Sequence, residues 1–341
     1  MNPKQILETL IEKHDLSERE AIFVMQGIME GVIPPAQVAG ILIALRIKKE
    51  SVDEIVAFAS VMRQKATRII AASEKILDTC GTGGDASGSF NISTTVALLL
   101  AGGDYRVAKH GNRSMTSRSG SADVLEALGI NINLTPQQVG DCIEKVGIGF
   151  LFAPALHSAM KNVIGVRKEL AVRTVFNILG PLTNPAGANI QVIGLFSADL
   201  VLKVTQVLKQ LGAKSAYVVA GLSGFDEVCV HEKTKVAKLS ADGKIEEFLF
   251  DPTEYGFETA SLDLIRGGSP NENAGITEKI LKGEMKGPMR HVVVLNAGFA
   301  ISAYDDCTLK EGFDKAEQLI ASQSGYDRLQ KLKALSNSFK V

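Results

Sequence analysis

A glycine-rich turn that leaves one apolar run and leads into another constrains this chain more than any other feature. Ile76-Leu77 end a short strand-like run, Gly81-Thr82-Gly83-Gly84-Asp85 follow at once, and Asn91-Ile92-Ser93-Thr94 open the apolar stretch Thr95 to Ala101. Residues without a Cβ reach positive φ and permit close approach, so such a turn can aim several backbone N–H groups at one anion. The polar start of the following helix is a second anion site. Its first N–H groups lack partners inside the helix and carry the positive end of the dipole.

A second run, Arg106-Val107-Ala108, delivers Lys109-His110-Gly111-Asn112-Arg113-Ser114, with Ser117, Arg118 and Ser121 close behind. Cations, hydroxyls and a glycine on one loop make a polyanion cradle. Any one of these pieces alone reads as an ordinary turn or a solvated basic loop. Three in order, each leaving a strand or opening a helix, do not.

The remaining pattern supplies a scaffold for them. From residue 74 onward short β-rich runs alternate with helical patterns, the mark of an α/β domain with a mainly parallel central sheet flanked by helices. Strands are expected at Ile76 to Asp78, Arg106 to Ala108, Gly149 to Phe152, Gln191 to Phe196, Ala216 to Ala220 and His291 to Asn296. Helices are expected at Ala122 to Leu128, Pro136 to Val146, Leu200 to Leu211 and Leu309 to Ser322. Ligands of open α/β sheets bind beyond the carboxyl ends of the strands, where the glycine-rich and basic loops lie.

Residues 1–70 read instead as a smaller all-helical domain. Ser17 with Glu20 and Ser51 with Glu54 have the spacing of capping boxes, and Pro34-Pro35 break the chain before a further helix. The stretch Ala39, Ile41, Leu42, Ile43, Ala44 and Leu45 is apolar around most of a helix, which suits either burial on both sides or a subunit contact. Four short helices cannot cover this much apolar surface themselves. We expect them to meet their copies across a two-fold axis in a homodimer.

With 341 residues, 45% of them hydrophobic, the chain can bury a large core and divide into two domains. Its 37 basic and 38 acidic residues give a net charge of -1, which argues against a dedicated nucleic-acid or membrane-surface binder. Cys80, Cys142, Cys229 and Cys307 are widely separated and show neither a CxxC nor a Cys/His metal spacing. They read as reduced thiols of a cytoplasmic protein. The start of the sequence lacks a signal-peptide apolar block, and no segment has the length of a membrane span.

Asp226-Glu227, after the run Ala216 to Ala220 and the turn Gly221 to Phe225, is the best metal candidate. Mg2+ takes one or two carboxylates and fills its shell with water and phosphate oxygens, so an acidic pair near a phosphate loop suffices.

The segments GTGGD, NIST, KHGNRS with SGSADVLEALG, GIGFLFAPALHSAMKNVIGVRKEL, RTVFNILGPLTNPA, the Asp226-Glu227 pair and GGSPNENA together resemble the anthranilate phosphoribosyltransferases over essentially the whole chain. The resemblance implies a nucleoside phosphorylase/phosphoribosyltransferase-like fold and an enzyme of tryptophan biosynthesis. Such an enzyme joins the ribose 5-phosphate of phosphoribosyl pyrophosphate to the amine of anthranilate. It also implies that about 162–185 rejoin the helical domain, leaving 71–161 and 186–341 as the large domain.

By position, the resemblance assigns phosphoribosyl pyrophosphate to Gly81, Gly84, Asp85, Ser89, Asn91, Ile92, Ser93, Thr94, Lys109, His110, Gly111, Asn112, Arg113, Ser114, Met115, Thr116, Ser117 and Ser121. Gly81, Asn112 and Arg167 would serve anthranilate, with His110 and His157 as neighbours of the acceptor. Asp226, Glu227 and the Ser93 hydroxyl would hold Mg2+. The reaction needs a leaving polyanion stabilised and an acceptor held in line, so no catalytic triad is called for; Lys109, Arg113 and Mg2+ would carry the stabilisation. Association with an anthranilate synthase subunit is compatible with the resemblance.

Two positions depart from the family pattern. Ala220 stands where a His is common, and Ser269 where an acidic residue is common. Two rival readings are a pyrimidine nucleoside phosphorylase and a non-catalytic nucleic-acid-binding relative. Intact KHGNRS, NIST and Asp226-Glu227 disfavour the first, and the lack of a basic excess disfavours the second.

Overall fold

The computed structural model describes residues 2–85, 87–114 and 118–339. Helices α1 (Pro3–Ile11), α2 (Glu18–Glu30), α3 (Pro35–Lys48) and α4 (Val52–Lys65) open the chain. Both expected capping boxes form. Ser17 Oγ accepts from the Glu20 N–H at 3.4 Å and Glu20 accepts from the Ser17 N–H at 2.9 Å. Ser51 Oγ accepts from the Glu54 N–H at 3.2 Å, and Glu54 accepts from the Ser51 N–H at 2.7 Å. Pro35 occupies the first turn of α3, where a missing N–H leaves no bond unmade.

The α/β part comprises β1 (Leu77–Gly81), α5 (Ile92–Gly102), β2 (Val107–Gly111), α6 (Ser121–Ala127), α7 (Pro136–Val146), β3 (Ile148–Phe152) and α8 (Ala153–Leu156). Then come α9 (Lys161–Leu170), α10 (Phe176–Leu182), β4 (Ile190–Gly194), α11 (Val201–Gln210), β5 (Ser215–Gly221), β6 (Thr234–Leu239) and β7 (Ile245–Phe250). The chain ends in α12 (Pro270–Leu281), α13 (Pro288–Asp305), α14 (Leu309–Ala321) and α15 (Ser324–Ser338). The sheet runs β3-β2-β1-β4-β5-β6-β7, parallel through β5 and antiparallel in β6 and β7. Strand order reverses beside β1, between β2 and β4, which opens a crevice at the carboxyl end of β1.

Alternation along the strands feeds two cores. Ile190, Val192, Tyr217 and Val219 pack with α5, α13 and α14, while Ile193, Ala216, Val218 and Ala220 pack with α11 and the helical part. No single helix among the described residues is long and apolar enough to cross a membrane.

His291 to Asn296, expected as a strand, lies inside α13. Val292, Val293, Val294 and Leu295 are all buried, because α13 is enclosed on every side. A β-branched run in a helix buried all round carries no periodicity to distinguish it from a core strand. The hairpin β6–β7 was not expected, although its turn contains Asp242-Gly243 with Gly243 at φ 82, an ordinary hairpin signal.

Three stretches connect the helical part to the sheet, and they run side by side. The Thr67 N–H donates to Leu156 O at 2.9 Å and the Ile69 N–H to Pro185 O at 3.1 Å. On the helical side Asn162 Nδ2 donates to Met29 O at 2.7 Å. On the sheet side Asn184 Nδ2 donates to Asp78 Oδ2 and to Ala108 O, each at 2.8 Å. The segment carrying α9 and α10 is thereby tied at both ends.

Within the helical part, Glu54 is fully buried and accepts from the Leu16 N–H at 2.9 Å and from Lys48 Nζ at 2.8 Å, besides Ser51. Glu54→Ala would leave two backbone donors without their partner and take from Lys48 one of the two carboxylates it meets. We expect it to cost roughly 3 kcal/mol in urea unfolding, with Glu54→Gln losing less. An unchanged midpoint in the alanine variant would show that the network adds nothing to stability.

Candidate active site

The site is built around a wedge at the sheet end. Gly81 of β1 pairs with Gly194 of β4, and a Cβ on either would run into Asp226. These two glycines admit the turn after β5 into the crevice. Asp226 Oδ2 accepts from the Gly83 N–H at 2.6 Å, and Glu227 Oε1 accepts from the Ser93 N–H at 3.2 Å. Glu227 therefore occupies a donor at the start of α5 that the sequence pattern offers to a phosphate.

Burial pushes both carboxyls above the usual carboxylate range; Asp85 adds to the effect on Asp226, and Asp226 to that on Glu227. Asp85 Oδ2 is buried with no hydrogen-bond partner. Lys109, itself buried, donates from Nζ to Thr79 O and, at 3.3 Å, to Ser93 Oγ. Its charge lowers the pKa of Glu227 and of Asp78, which burial nevertheless raises to about 6. Asp85, Asp226, Glu227 and the Ser93 hydroxyl are hard oxygen donors crowded in a low-dielectric place. A hard divalent cation fits that set.

The glycine-rich turn arches over this cluster. Gly83 and Gly84 take φ 66 and 73, conformations that other residues rarely adopt. Arg173, from the segment between α9 and α10, donates to Gly84 O and stacks over the Phe196 ring at 4.1 Å. Further on, Ser89 bridges to Arg266, and the Gly267 N–H donates to Gly88 O at 2.8 Å. Asn91 precedes α5 without capping it through its side chain. Its Oδ1 accepts from Ser119 Oγ at 3.1 Å and Asn273 Nδ2 at 2.9 Å. Ile92 is buried, and Thr94 Oγ1 is buried without a hydrogen-bond partner.

The basic loop starts on β2 with Lys109, His110 and Gly111. Asn112 and Ser121 are linked both ways at 3.2 Å. The Ser114 N–H donates to Asp123 at 3.1 Å. Arg113 pairs with Glu126 at 2.5 and 2.8 Å and with Asp123 at 3.0 Å, and both neighbours raise its pKa. Its guanidinium is thus engaged on α6. Met115, Thr116 and Ser117 lie outside the described residues.

His110 and His157, the expected neighbours of the acceptor, pack with ring centroids 5.2 Å apart. His110 Nδ1 lies 3.2 Å from Gly180 O, while His110 Nε2 and both nitrogens of His157 are buried without partners. Arg167 lies in the last turn of α9. Its guanidinium sits over the Phe176 ring at 5.4 Å, and burial lowers its pKa. Asp78 and Asn273 have no role in the sequence-based expectations. A lone Asp in an apolar strand was the available signal for the first. Ser269 caps α12 in a box with Glu272, and Ala220 is buried in β5.

Comparison with known proteins adds a second kind of finding. A glycosyltransferase-family helical bundle domain matches residues 4–66, and a glycosyltransferase-family a/b domain matches 73–326. The chain is similar to an anthranilate phosphoribosyltransferase of Symbiobacterium thermophilum, 48% identical over 99% of both chains. The crystal structure of anthranilate phosphoribosyltransferase from Thermus thermophilus superposes with TM-score 0.92 at 42% identity, covering 98% of this chain and 99% of that one. The Saccharomyces cerevisiae enzyme in complex with phosphoribosyl pyrophosphate and Mg superposes with TM-score 0.88 at 26% identity, covering 99% and 98%.

The histidine pair has a pH signature. Burial lowers His110 to about 3 and His157 to about 4, whereas an unfolded His titrates near about 6.5. Between those values the unfolded chain binds more protons, so the pair contributes stability that is lost as pH falls below about 6.5. Asp226 and Glu227 act with the opposite sign, since their raised pKa favours the folded chain on protonation. His157→Gln should flatten the decline of Tm between about pH 6.5 and 4. Identical slopes in variant and wild type would exclude the pair as its source.

Proposed function

The chain belongs to the anthranilate phosphoribosyltransferases, glycosyltransferase-family enzymes of tryptophan biosynthesis, and we propose how its own residues divide the reaction between a polyanion side and an acceptor side. The observation that carries the reading is the electrostatic coupling of Asp85, Asp226 and Glu227 between the glycine-rich turn and the start of α5, where Asp226 meets the Gly83 N–H, Glu227 meets the Ser93 N–H and Lys109 is the counter-charge to Glu227. Asp226, Glu227 and Ser93 would hold Mg2+, as the Mg in the yeast complex supports. When bound, the ion would neutralise charge on the departing pyrophosphate.

Around it, Gly81, Gly84, Ser89, Asn91 to Thr94 and the Lys109 to Ser114 loop, with Ser121, are proposed to cradle the phosphoribosyl and pyrophosphate groups. Lys109 stabilises negative charge that grows on the leaving group. Arg113 has to exchange Glu126 and Asp123 for phosphate oxygens to share in this. The acceptor is placed against Gly81, Asn112, His110, His157 and Arg167. Its aromatic amine attacks the ribose carbon with a lone pair that no base needs to uncover, so orientation governs the rate. Neutral histidines suit a pocket for an uncharged amine, and the Arg167 fork suits a carboxylate.

Ile11, Val32 and Ile47 of the helical part are exposed, as is Ile164 of α9. We propose that a second copy covers this apolar surface, which light scattering would show as twice the chain mass; a monomer at all working concentrations would refute it. The cytoplasm is the proposed compartment, since both substrates are soluble metabolites.

The activity itself is tested by mixing the protein with phosphoribosyl pyrophosphate, Mg2+ and anthranilate and following loss of anthranilate fluorescence. Asp226→Asn with Glu227→Gln should lower turnover roughly hundredfold or more with the fold intact. An unaltered Mg2+ dependence in a folded double variant would remove the pair from the metal site. Arg167→Ala should weaken anthranilate by about 1.5 to 3 kcal/mol, roughly tenfold to over a hundredfold, with phosphoribosyl pyrophosphate far less affected. Arg167→Lys should recover only part, because the planar fork is missing. Equal effects on both Michaelis constants would take Arg167 out of the acceptor site.

A further inference from the structure

Between β5 and β6 the fold gathers three potential metal ligands that sequence spacing did not reveal. Cys229 Sγ, a ring nitrogen of His231 and a carboxylate oxygen of Glu232 lie within 4.8 Å of one another. Cys229 Sγ is 3.9 Å from Glu232 Oε1, and His231 Nε2 is 3.5 Å from the same oxygen. With metal–sulfur bonds of about 2.3 Å and metal–nitrogen or oxygen bonds of about 2.1 Å, a tetrahedral ion holds such atoms roughly 3.4 to 3.6 Å apart. The observed separations are close to that.

Several features hold the three groups in this arrangement. Gly221 ends β5 against them, and a Cβ there would press on both Glu232 Oε1 and Cys229 Sγ. Ser223 fixes the carboxylate, donating to Glu232 from its N–H at 3.0 Å and its hydroxyl at 2.6 Å. Such outer partners orient ligands in metal sites. The His231 ring stands edge-on to Phe225, with centroids 5.0 Å apart. Both of its nitrogens are buried and neither makes a hydrogen bond. Buried polar groups ordinarily find a hydrogen bond, and this imidazole has only the Glu232 oxygen 3.5 Å from Nε2, so the ring stands ready to take a ligand beside the thiol and the carboxylate.

We propose that Cys229, His231 and Glu232 form a binding site for a borderline divalent transition metal of the Zn2+ class, distinct from the oxygen-lined Mg2+ cluster. Thiolate and imidazole favour Zn2+ over Mg2+, whereas the all-oxygen set of Asp85, Asp226, Glu227 and Ser93 has the opposite preference. Three protein ligands leave a fourth position for water. On binding, the Cys229 proton passes to solvent as the metal–sulfur bond forms. The thiol also donates to Glu227 O at 3.6 Å, so occupancy removes a contact to the backbone of the Mg2+ loop.

The test is equilibrium dialysis of the intact protein against Zn2+ in a large excess of Mg2+, followed by Co2+ substitution. One retained equivalent is expected, with a thiolate-to-Co2+ charge-transfer band in the near ultraviolet. His231→Ala, at a partly exposed position, should lower Zn2+ affinity roughly tenfold or more. Cys229→Ser, checked for folding by circular dichroism, should abolish the band. Asp226→Asn with Glu227→Gln should keep both retention and band. Loss of Zn2+ to excess Mg2+, equal retention in His231→Ala and wild type, or a Co2+ band that persists in Cys229→Ser would each overturn the assignment.

Discussion

Negative charge forced into the end of a parallel sheet is the constraint on which the rest of this structure depends. Asp226 reaches the crevice because Gly81 and Gly194 leave no Cβ in its way, and Glu227 follows it onto the first turn of α5. Taking a carboxylate out of water costs several kcal/mol unless a proton or a cation accompanies it. Lys109 supplies one positive charge, and it is shared with Asp78. The balance has to come from protons or from a metal ion. The same burial that raises the carboxyl pKa, with so little positive charge nearby, therefore suits the cation and polyanion proposed above.

Asp78 connects this cluster to the other half of the molecule. One oxygen accepts from the His110 N–H at 3.2 Å and the other from Asn184 at 2.8 Å. His110 belongs to the side proposed for the acceptor, and Asn184 ends the segment that carries Arg167 and α10. A second link runs through Arg173, which reaches from that segment to Gly84 while Arg46 of α3 donates to its carbonyl at 2.8 Å. Helical part and sheet share a buried apolar core, and these polar contacts add specific links across it between the sides proposed for the two substrates.

Much of this was legible because it rests on local rules. Strand, glycine turn and helix start lie within one short stretch, and the two capping boxes have a fixed spacing, so each declared itself without tertiary knowledge. What escaped depends on burial or on long-range packing. His291 to Asn296 read as a strand because a helix enclosed on all sides needs no polar face. The role of Asp78 emerges only when residues more than a hundred positions apart in the chain converge on it, as Asn184 does. The Cys229, His231 and Glu232 grouping depends on a turn that folds back on Gly221. Arg113 shows the complementary case: its place on a basic loop was readable, but its pairing with Glu126 on α6 was not.

The charge argument is tested most directly by calorimetric titration of Mg2+ into the protein near neutral pH, in two buffers of different ionisation enthalpy. If the raised carboxyls hold protons that the ion displaces, the apparent heat will differ between buffers and report net proton release. That release should disappear in Asp226→Asn with Glu227→Gln. Heats independent of the buffer, or an undiminished release in the double variant, would contradict the account.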